Sequence, residues 1–203
     1  MLNLRVRPAL AHVVDPIANA LLRLGVQPDA VTAAGTLGVL VGSLGFFPRG
    51  MFFTGTAIVF FSVLTDLLDG TMARIQGRTS RFGAWLDSTC DRLADAAIFV
   101  GLALWFLGEG DRPVLGAVAL FCLVAGSVVS YAKARAEGLG MTCDVGLAER
   151  AERLIIVLLG TLLAGLGLDA ALPVALWLLA VATAITVVQR LVEVRRQAAL
   201  LSP

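Results

Sequence analysis

The sequence is poor in the residues that build zinc sites and disulfide frameworks. Its 203 residues include one histidine, His12, and three cysteines, Cys90, Cys122 and Cys143. The cysteines are odd in number and show neither a CxxC pair nor another metal-ligand spacing. We therefore expect free thiols and no zinc centre, and we interpret His12 as a solvated polar residue.

Charged residues are also scarce, and their signs balance. They make up 15% of the chain, and 16 Lys and Arg against 15 Asp and Glu leave a net charge of +1. A nucleic-acid-binding protein carries a basic face well in excess of its acids, so we expect no nucleic-acid partner. The sequence also lacks an internal repeat, a low-complexity tract and a linker that would divide domains.

Apolar residues, in contrast, are abundant. They form 58% of the chain, and the mean hydropathy of +0.88 is too high for an ordinary soluble domain. Six apolar segments each approach the roughly 20 residues that a helix needs to cross about 30 Å of hydrocarbon. They lie at residues 31–48, 51–73, 83–107, 113–135, 152–169 and 171–193. The sequence predicts an all-α integral membrane protein with six transmembrane helices and both chain ends on one side.

The first 30 residues do not resemble a signal peptide, because their apolar positions are interrupted and no small-residue cleavage pattern follows. Apolar side chains recur at spacings of three and four from Leu10 to Leu24, while Asp15 and Arg23 lie on the other face. This pattern predicts an amphipathic helix on the membrane surface, before the first span. Asp29, after Pro28, is a plausible N-cap for that span. We expect one domain over residues 1–203, with 1–28 as a juxtamembrane segment.

The basic residues indicate the orientation in the membrane. Only Arg49 and Arg112 fall in the first and third connections between spans, and the fifth connection has no Lys or Arg. The remaining basic residues lie at the other ends of the spans. By the positive-inside bias, those ends are cytoplasmic.

Acidic residues are concentrated between Asp66 and Asp91, where the chain reads DLLDGTMARIQGRTSRFGAWLDSTCD. An Asp at the centre of a lipid-facing helix costs roughly 2.5–3.5 kcal/mol, so these carboxylates need a partner. Helical spacing puts two groups of residues each on one helix face. They are Asp66, Asp69, Gly70, Ala73 and Arg74 on the second span, and Gly83, Asp87, Asp91 and Asp95 on the third.

The two acidic faces can meet if the second and third spans are neighbours. Clustered carboxylate oxygens suit Mg²⁺ or Mn²⁺, and two such ions would neutralise four negative charges. Gly70 and Ala73 remove side-chain bulk, either for helix packing or for the floor of a nucleotide site. In the second case Arg74 is available for a phosphate.

The motif DxxDGxxAR, followed after eight residues by GxxxDxxxD, resembles the signature of the CDP-alcohol phosphotransferase family. All its positions are filled between Asp66 and Asp91. The resemblance implies a six-helix membrane enzyme, usually a homodimer, that transfers a phosphatidyl or related group from a CDP-alcohol to a hydroxyl and releases CMP. It implies that the metal ligands are Asp66, Asp69, Asp87 and Asp91, with Asp91 also the general base. It implies a CDP-lipid site formed by Asp29, Thr32, Gly70, Ala73, Arg74 and Ser80.

Basic residues at three further helix ends indicate an acceptor that carries a phosphate. Lys133 and Arg135 end the fourth span, Arg153 lies near the start of the fifth, and Arg190 lies near the end of the sixth. Their convergence with the acids would suit a dianionic phosphate. We interpret Arg150, Arg195 and Arg196 instead as membrane anchors or as partners of Glu137, Glu149 and Glu152.

Four further stretches resemble the bacterial phosphatidylinositol-phosphate synthases within this family. They read SRFGAWLDSTCDRLADAAIF, SYAKARAEGLG, ERAERLIIVLLG and VVQRL. This resemblance implies CDP-diacylglycerol and inositol 1-phosphate as substrates, an inner-membrane location in a bacterial cell, and an acceptor-phosphate site that includes Lys133, Arg153 and Arg190, with Arg135 beside them.

Three alternatives stay open at this point. A phosphatidylglycerophosphate synthase would use glycerol 3-phosphate, which also carries a phosphate. A small cation or proton transporter could place the same acids in a water-filled cavity. The acids could also have a purely structural role, paired with Arg74, Arg81 and Arg92.

Overall fold

The computed structural model describes residues 14–77 and 80–201, without the side chains of Asp66, Leu67 and Leu201. The described chain is all-α and contains no strand. Its helices are α1 (14–23), α2 (Pro28–Phe46), α3 (Phe52–Ile75), α4 (Arg81–Leu107), α5 (Pro113–Glu137), α6 (Arg150–Gly165) and α7 (Ala171–Leu201), with a 3-10 turn at Phe47–Arg49. The prediction of an all-α fold is confirmed.

Helices α2 to α7 form a closed ring. Helix α2 packs against α3 and α4, α5 packs between α4 and α7, and α6 packs between α3 and α7. Buried apolar side chains from these helices and from the 3-10 turn fill the ring, among them Phe47, Ile98, Leu102, Val157 and Leu176. The N-terminal ends of α2, α4 and α6 lie with the C-terminal ends of α3, α5 and α7, and we call this the polar end.

Four of the ring helices are long and apolar enough to cross a membrane. These candidate spans are Pro28–Arg49, Phe52–Ile75, Pro113–Glu137 and Ala171–Leu200. Helix α4 has 27 residues but carries several charges in its first half. Helix α6 has 16 residues, which rise about 24 Å at 1.5 Å per residue. Four candidate spans are therefore established in the described chain, and the count of six stays a prediction.

Several helix boundaries differ from the predicted ones, most of all the end of α7, which lies at Leu201 and not at residue 193. Helix α2 begins at Pro28, because a missing N–H is tolerated at the first helical position. Asp29 therefore lies within the first turn, and its prediction as N-cap is wrong; Gln27 takes that position without a side-chain bond. Helix α6 ends at Gly165, before the predicted limit of 169, and Gly167 then turns the chain with φ +98°.

The described part of the N-terminal segment packs on the polar end. Ala18 of α1 is fully buried against Val31 of α2 and Met72 of α3. Ile17 and Leu24 are exposed apolar side chains, as a helix at a membrane surface would require. Residues 1–13, which include Leu10 and His12, lie outside the described residues. The membrane-surface role of this segment stays a prediction.

Candidate active site

The first turn of α2 links the two acidic helices. Thr32 donates a hydrogen bond of 2.5 Å to Oδ2 of Asp69 on α3. On the other side, Oδ1 of Asp29 lies 3.3 Å from where a Cβ on Gly83 of α4 would be. Helices α3 and α4 each pack along α2 and scarcely touch one another in the described chain. The acidic helices are therefore joined through α2, a role for this helix that the spacing of the acids did not predict.

The predicted metal ligands differ in their surroundings. Asp69 is buried, Asp87 is exposed, and Asp91 is partly buried beside Arg150. The side chain of Asp66 lies outside the described residues, but its position one turn before Asp69 puts it on the same helix face. Among the described side chains, no three acids, histidines or cysteines gather closely enough to hold an ion.

The donor set nevertheless suits a hard divalent cation, because all four predicted ligands are carboxylates. The signature glycine on α3 also fits a ligand site. A Cβ on Gly70 would meet no described atom within 4 Å outside its own helix backbone. Packing against another helix, the alternative interpretation of this glycine, would instead put neighbouring atoms at that distance. The open space beside Gly70 therefore favours the approach of a ligand.

The other residues predicted for the CDP-lipid site lie around these acids. Arg74 is exposed, and its guanidinium donates to Oγ1 of Thr71 at 2.9 Å and to the carbonyl of Gly70 at 3.2 Å. Ala73 is partly buried on the same helix. Ser80 caps α4 by accepting a 2.7 Å hydrogen bond from the N–H of Gly83. The capping explains Ser80 structurally, and a lipid contact at this residue stays a prediction.

A chain of ion pairs joins α4 to the start of α6. Nη2 of Arg150 lies 2.7 Å from Oδ1 of Asp91, and its Nε lies 3.5 Å from Oδ1 of Asp95. Nη2 of Arg153 lies 3.1 Å from Oδ2 of Asp95. Arg150 therefore pairs with acids of α4, partners that its interpretation as an anchor or a glutamate partner did not include. The four-residue spacing of the α4 acids was the only sequence signal for these pairs.

Three of the four predicted acceptor cations contact one loop, residues 138–149, which we call the α5–α6 connection. Arg153, 2% exposed, donates to the Ala148 carbonyl at 3.1 Å. Arg190, 3% exposed, donates to the carbonyl of Val145 at 2.9 Å and lies 3.4 Å from Oε1 of Glu149. Lys133 pairs with Asp144, and Arg135 is exposed on the last turn of α5.

The connection therefore supplies carbonyl and carboxylate partners to these cations, and of its acids sequence reasoning missed Asp144. Asp144 is held by Lys133, whose hydrogen bond lowers the pKa of the Asp144 carboxyl below its ordinary value. An anion entering here would compete with Asp144 for Lys133. No periodic pattern marks Asp144 in the sequence, because it lies in a loop.

A threonine of α7 fixes the same connection. Oγ1 of Thr186 accepts hydrogen bonds from the N–H groups of Leu147 at 3.1 Å and Ala148 at 3.0 Å. Gly146 lies so close that a Cβ there would be 2.5 Å from Cγ2 of Thr186. Thr186 and Arg190 are one turn apart on α7, so both contact the α5–α6 connection from the same face of that helix.

Comparison with known proteins places this arrangement in a family. The CDP-alcohol phosphatidyltransferase profile matches residues 26–188. The chain is 53% identical over 206 residues to the phosphatidylinositol phosphate synthase of Streptomyces avermitilis, covering 98% of this chain and 84% of that protein. It is 50% identical to the phosphatidylinositol phosphate synthase of Mycobacterium tuberculosis, covering 91% and 87%.

Solved structures of the Mycobacterium tuberculosis protein share this fold. The form with CDP-DAG bound has a TM-score of 0.86 at 50% identity and covers 91% of this chain and 94% of that one. The complex with manganese and citrate has a TM-score of 0.84 at 51% identity, covering 88% and 87%. This chain belongs to the CDP-alcohol phosphatidyltransferase family.

Proposed function

We propose that this protein is a phosphatidylinositol-phosphate synthase. It transfers the phosphatidyl group of CDP-diacylglycerol to a hydroxyl of inositol 1-phosphate and releases CMP. The observation that carries the proposal is that the acids of α3 and α4 and the buried cations Arg153 and Arg190 lie at one end of the ring. Curated relatives with this activity, about 50% identical over most of the chain, support the choice of acceptor.

In the proposed reaction, Asp91 accepts the proton of the attacking hydroxyl. The hydroxyl oxygen forms a bond to the phosphorus that carries diacylglycerol, and the bond from that phosphorus to the pyrophosphate bridging oxygen breaks. CMP leaves with that bridging oxygen, and the proton passes from Asp91 to solvent. Arg150, 2.7 Å from Asp91, keeps the carboxylate oriented before the acceptor arrives.

Asp66, Asp69, Asp87 and Asp91 would hold divalent cations, Mg²⁺ or Mn²⁺, and we propose two per site. When bound, such ions supply electrostatic stabilisation of the charge that develops on the departing CMP. The hydrogen bond from Thr32 holds Asp69 in place for this role. The manganese complex of the Mycobacterium tuberculosis relative supports the choice of metal.

The two substrates meet different parts of the polar end. The open space beside Gly70 and the exposed Arg74 would accept the CDP moiety, with Asp29, Thr32, Ala73 and Ser80 around it. The acceptor's phosphate would bind where Lys133, Arg153 and Arg190 meet the α5–α6 connection, with Arg135 at the entrance. There the phosphate would replace acidic partners such as Asp144 as the counter-ion of these cations.

We further propose how the enzyme sits in the cell. It is a single domain with six spans, α2 to α7, and residues 1–28 form an amphipathic segment at the surface of the bacterial inner membrane. The distribution of basic residues supports a cytoplasmic polar end, where inositol phosphate is available. CDP-diacylglycerol would enter from the bilayer. The family resemblance also supports a homodimer.

The decisive assay follows CMP release by purified protein in detergent with CDP-diacylglycerol and one acceptor at a time. Release with inositol 1-phosphate, abolished by a chelator and restored by Mn²⁺ or Mg²⁺, is the expected result. Release with glycerol 3-phosphate alone would keep the family and identify a phosphatidylglycerophosphate synthase. Absence of CMP with every acceptor would reject the enzyme activity.

A further inference from the structure

The carboxylate of Asp95 pairs with two arginines of α6. Its Oδ2 meets Nη2 of Arg153 at 3.1 Å, and its Oδ1 lies 3.5 Å from Nε of Arg150. Only 16% of the Asp95 side chain is exposed. Although Asp95 continues the acidic face of α4 by one turn beyond Asp91, its two oxygens are already engaged by arginines.

The ion pairs form an alternating ladder between two helices. Asp91 and Asp95 are four residues apart on α4, and Arg150 and Arg153 are three apart on α6, so each pair shares a helix face. Arg150 bridges both acids, and Arg153 pairs with the second one. A displacement of Asp95 would therefore act on both arginines at once.

The position of Arg153 also depends on Gly126 of α5, which has no side chain. A Cβ on Gly126 of α5 would lie 3.2 Å from Nε of Arg153 and 3.5 Å from its Cζ. The guanidinium is thus confined between the α5 backbone, Asp95 and the carbonyl of Ala148. Because the arginine is 2% exposed, its charge depends on Asp95 for compensation.

We propose that Asp95 is a positioning residue that aligns the acceptor with the general base. It holds Arg153 at the acceptor-phosphate site and Arg150 against Asp91, so that the distance between the bound phosphate and the base is set by one carboxylate. Asp95 itself contacts neither the metals nor the substrates. The proposal rests on the proposed function and adds to it a determinant of acceptor placement.

The test compares Asp95→Asn with wild type and with Asp169→Asn, a control carboxylate outside the polar end. In Asp95→Asn we expect the KM for inositol 1-phosphate to rise at least about tenfold and kcat to fall, with the KM for CDP-diacylglycerol within about twofold of wild type. Mn²⁺ affinity, measured by electron paramagnetic resonance without substrates, should be unchanged. Asp95→Glu, which keeps the charge, should recover part of the acceptor affinity.

A second variant, Gly126→Ala, displaces Arg153 without changing any charge. It tests the same proposal if Asp95→Asn does not fold. It too should raise the acceptor KM and leave Mn²⁺ affinity unchanged. Loss of Mn²⁺ binding in Asp95→Asn would make Asp95 a metal ligand and overturn the proposal, as would an unchanged acceptor KM in the folded variants. Wild-type protein without turnover on inositol 1-phosphate would overturn the proposed function and this inference together.

Discussion

Asp91 is the residue that we propose as the general base. Its carboxylate lies 2.7 Å from Nη2 of Arg150 and 3.8 Å from Nη2 of Arg92, so its charge is compensated within the folded chain. We expect Asp91→Asn to lower the rate of CMP release by a factor of about 10² to 10⁴, the typical contribution of a general base. The assay of acceptor-dependent CMP release measures this effect.

The matched control for that substitution is Asp111→Asn, which removes an exposed carboxylate in the turn before α5. Both variants should elute from size exclusion as wild type does, since neither replaces an apolar core residue. Turnover by Asp91→Asn at the rate of the control would contradict the assignment of Asp91.

Helical spacing was enough to predict which acids share a helix face. The acids from Asp66 to Asp91 were recognisable because a period of 3.6 places them on shared faces. It did not identify the partners of Arg150, because its pairing with Asp95 joins residues 55 positions apart on helices that only the fold brings together. Thr186 was missed for the same reason, whereas Asp144 was missed because it lies in a loop, where no periodic pattern marks it.

The α5–α6 connection is the element that most needs a rigid support. Thr186 is fully buried, and its hydroxyl accepts two backbone hydrogen bonds from this connection. We expect Thr186→Val to leave two N–H groups unpaired and to cost about 1–3 kcal/mol of folding free energy. The midpoint of thermal unfolding in detergent should fall, and the acceptor KM should rise.

Thr183 provides a control on the same helix. It is also fully buried, but its Oγ1 has no hydrogen-bond partner among the described residues. Thr183→Val removes that unpaired hydroxyl and should leave the unfolding midpoint unchanged or raise it. Equal destabilisation by both substitutions would show that the hydrogen bonds of Thr186 do not support the connection.

Asp144 of the α5–α6 connection should weaken binding of the acceptor. Asp144 holds Lys133, so we expect Asp144→Asn to lower the acceptor KM by a factor of about two to three, the small effect typical of an exposed ion pair. Initial rates over a range of inositol 1-phosphate concentrations measure the change. A higher KM in the variant would instead give Asp144 a supporting role in the site.

The effect of Asp144→Asn on the acceptor KM should not depend on pH near neutrality. The hydrogen bond from Lys133 lowers the pKa of Asp144 below its ordinary value of 3.8. A depressed pKa means that the pair is fully formed above that value and is lost only as the pH falls through the lower, folded-state pKa. The ratio of variant to wild-type KM should therefore be the same at pH 6 and pH 8.

At the level of the whole molecule, the prediction of six spans requires that α4 and α6 cross the membrane. Helix α4 carries charges in its first half, and α6 has only 16 residues. The ring places both helices beside the four candidate spans. Apolar composition predicted all six segments, but it could not show that Asp91 and Asp95 of α4 pair with arginines of α6.

Reporter fusions in a bacterial host test this topology. With six spans, alkaline phosphatase fused after Gly110 is exported and active, whereas the same enzyme fused at the C-terminus stays cytoplasmic and inactive. If α4 did not cross, the Gly110 fusion would be inactive as well. A fusion after Gly50, which follows the first candidate span, is the positive control for export.

Family membership also decides between the classes of function considered from the sequence. Matches to the family cover most of the chain, including the acids from Asp66 to Asp91. They favour an enzyme over a transporter. Membership does not choose the acceptor, however. The family signature does not contain the cations around the α5–α6 connection, which we propose as the site of the acceptor's phosphate.

The most direct test of the central claim follows the acceptor's own phosphate. Purified protein is incubated with CDP-diacylglycerol, Mn²⁺ and inositol 1-phosphate labelled with ³²P, and the lipid phase is then extracted. We predict that the label enters the lipid phase in a one-to-one ratio with released CMP, because the acceptor joins the phosphatidyl group with its phosphate intact. CMP release with the label left in the aqueous phase would contradict the account.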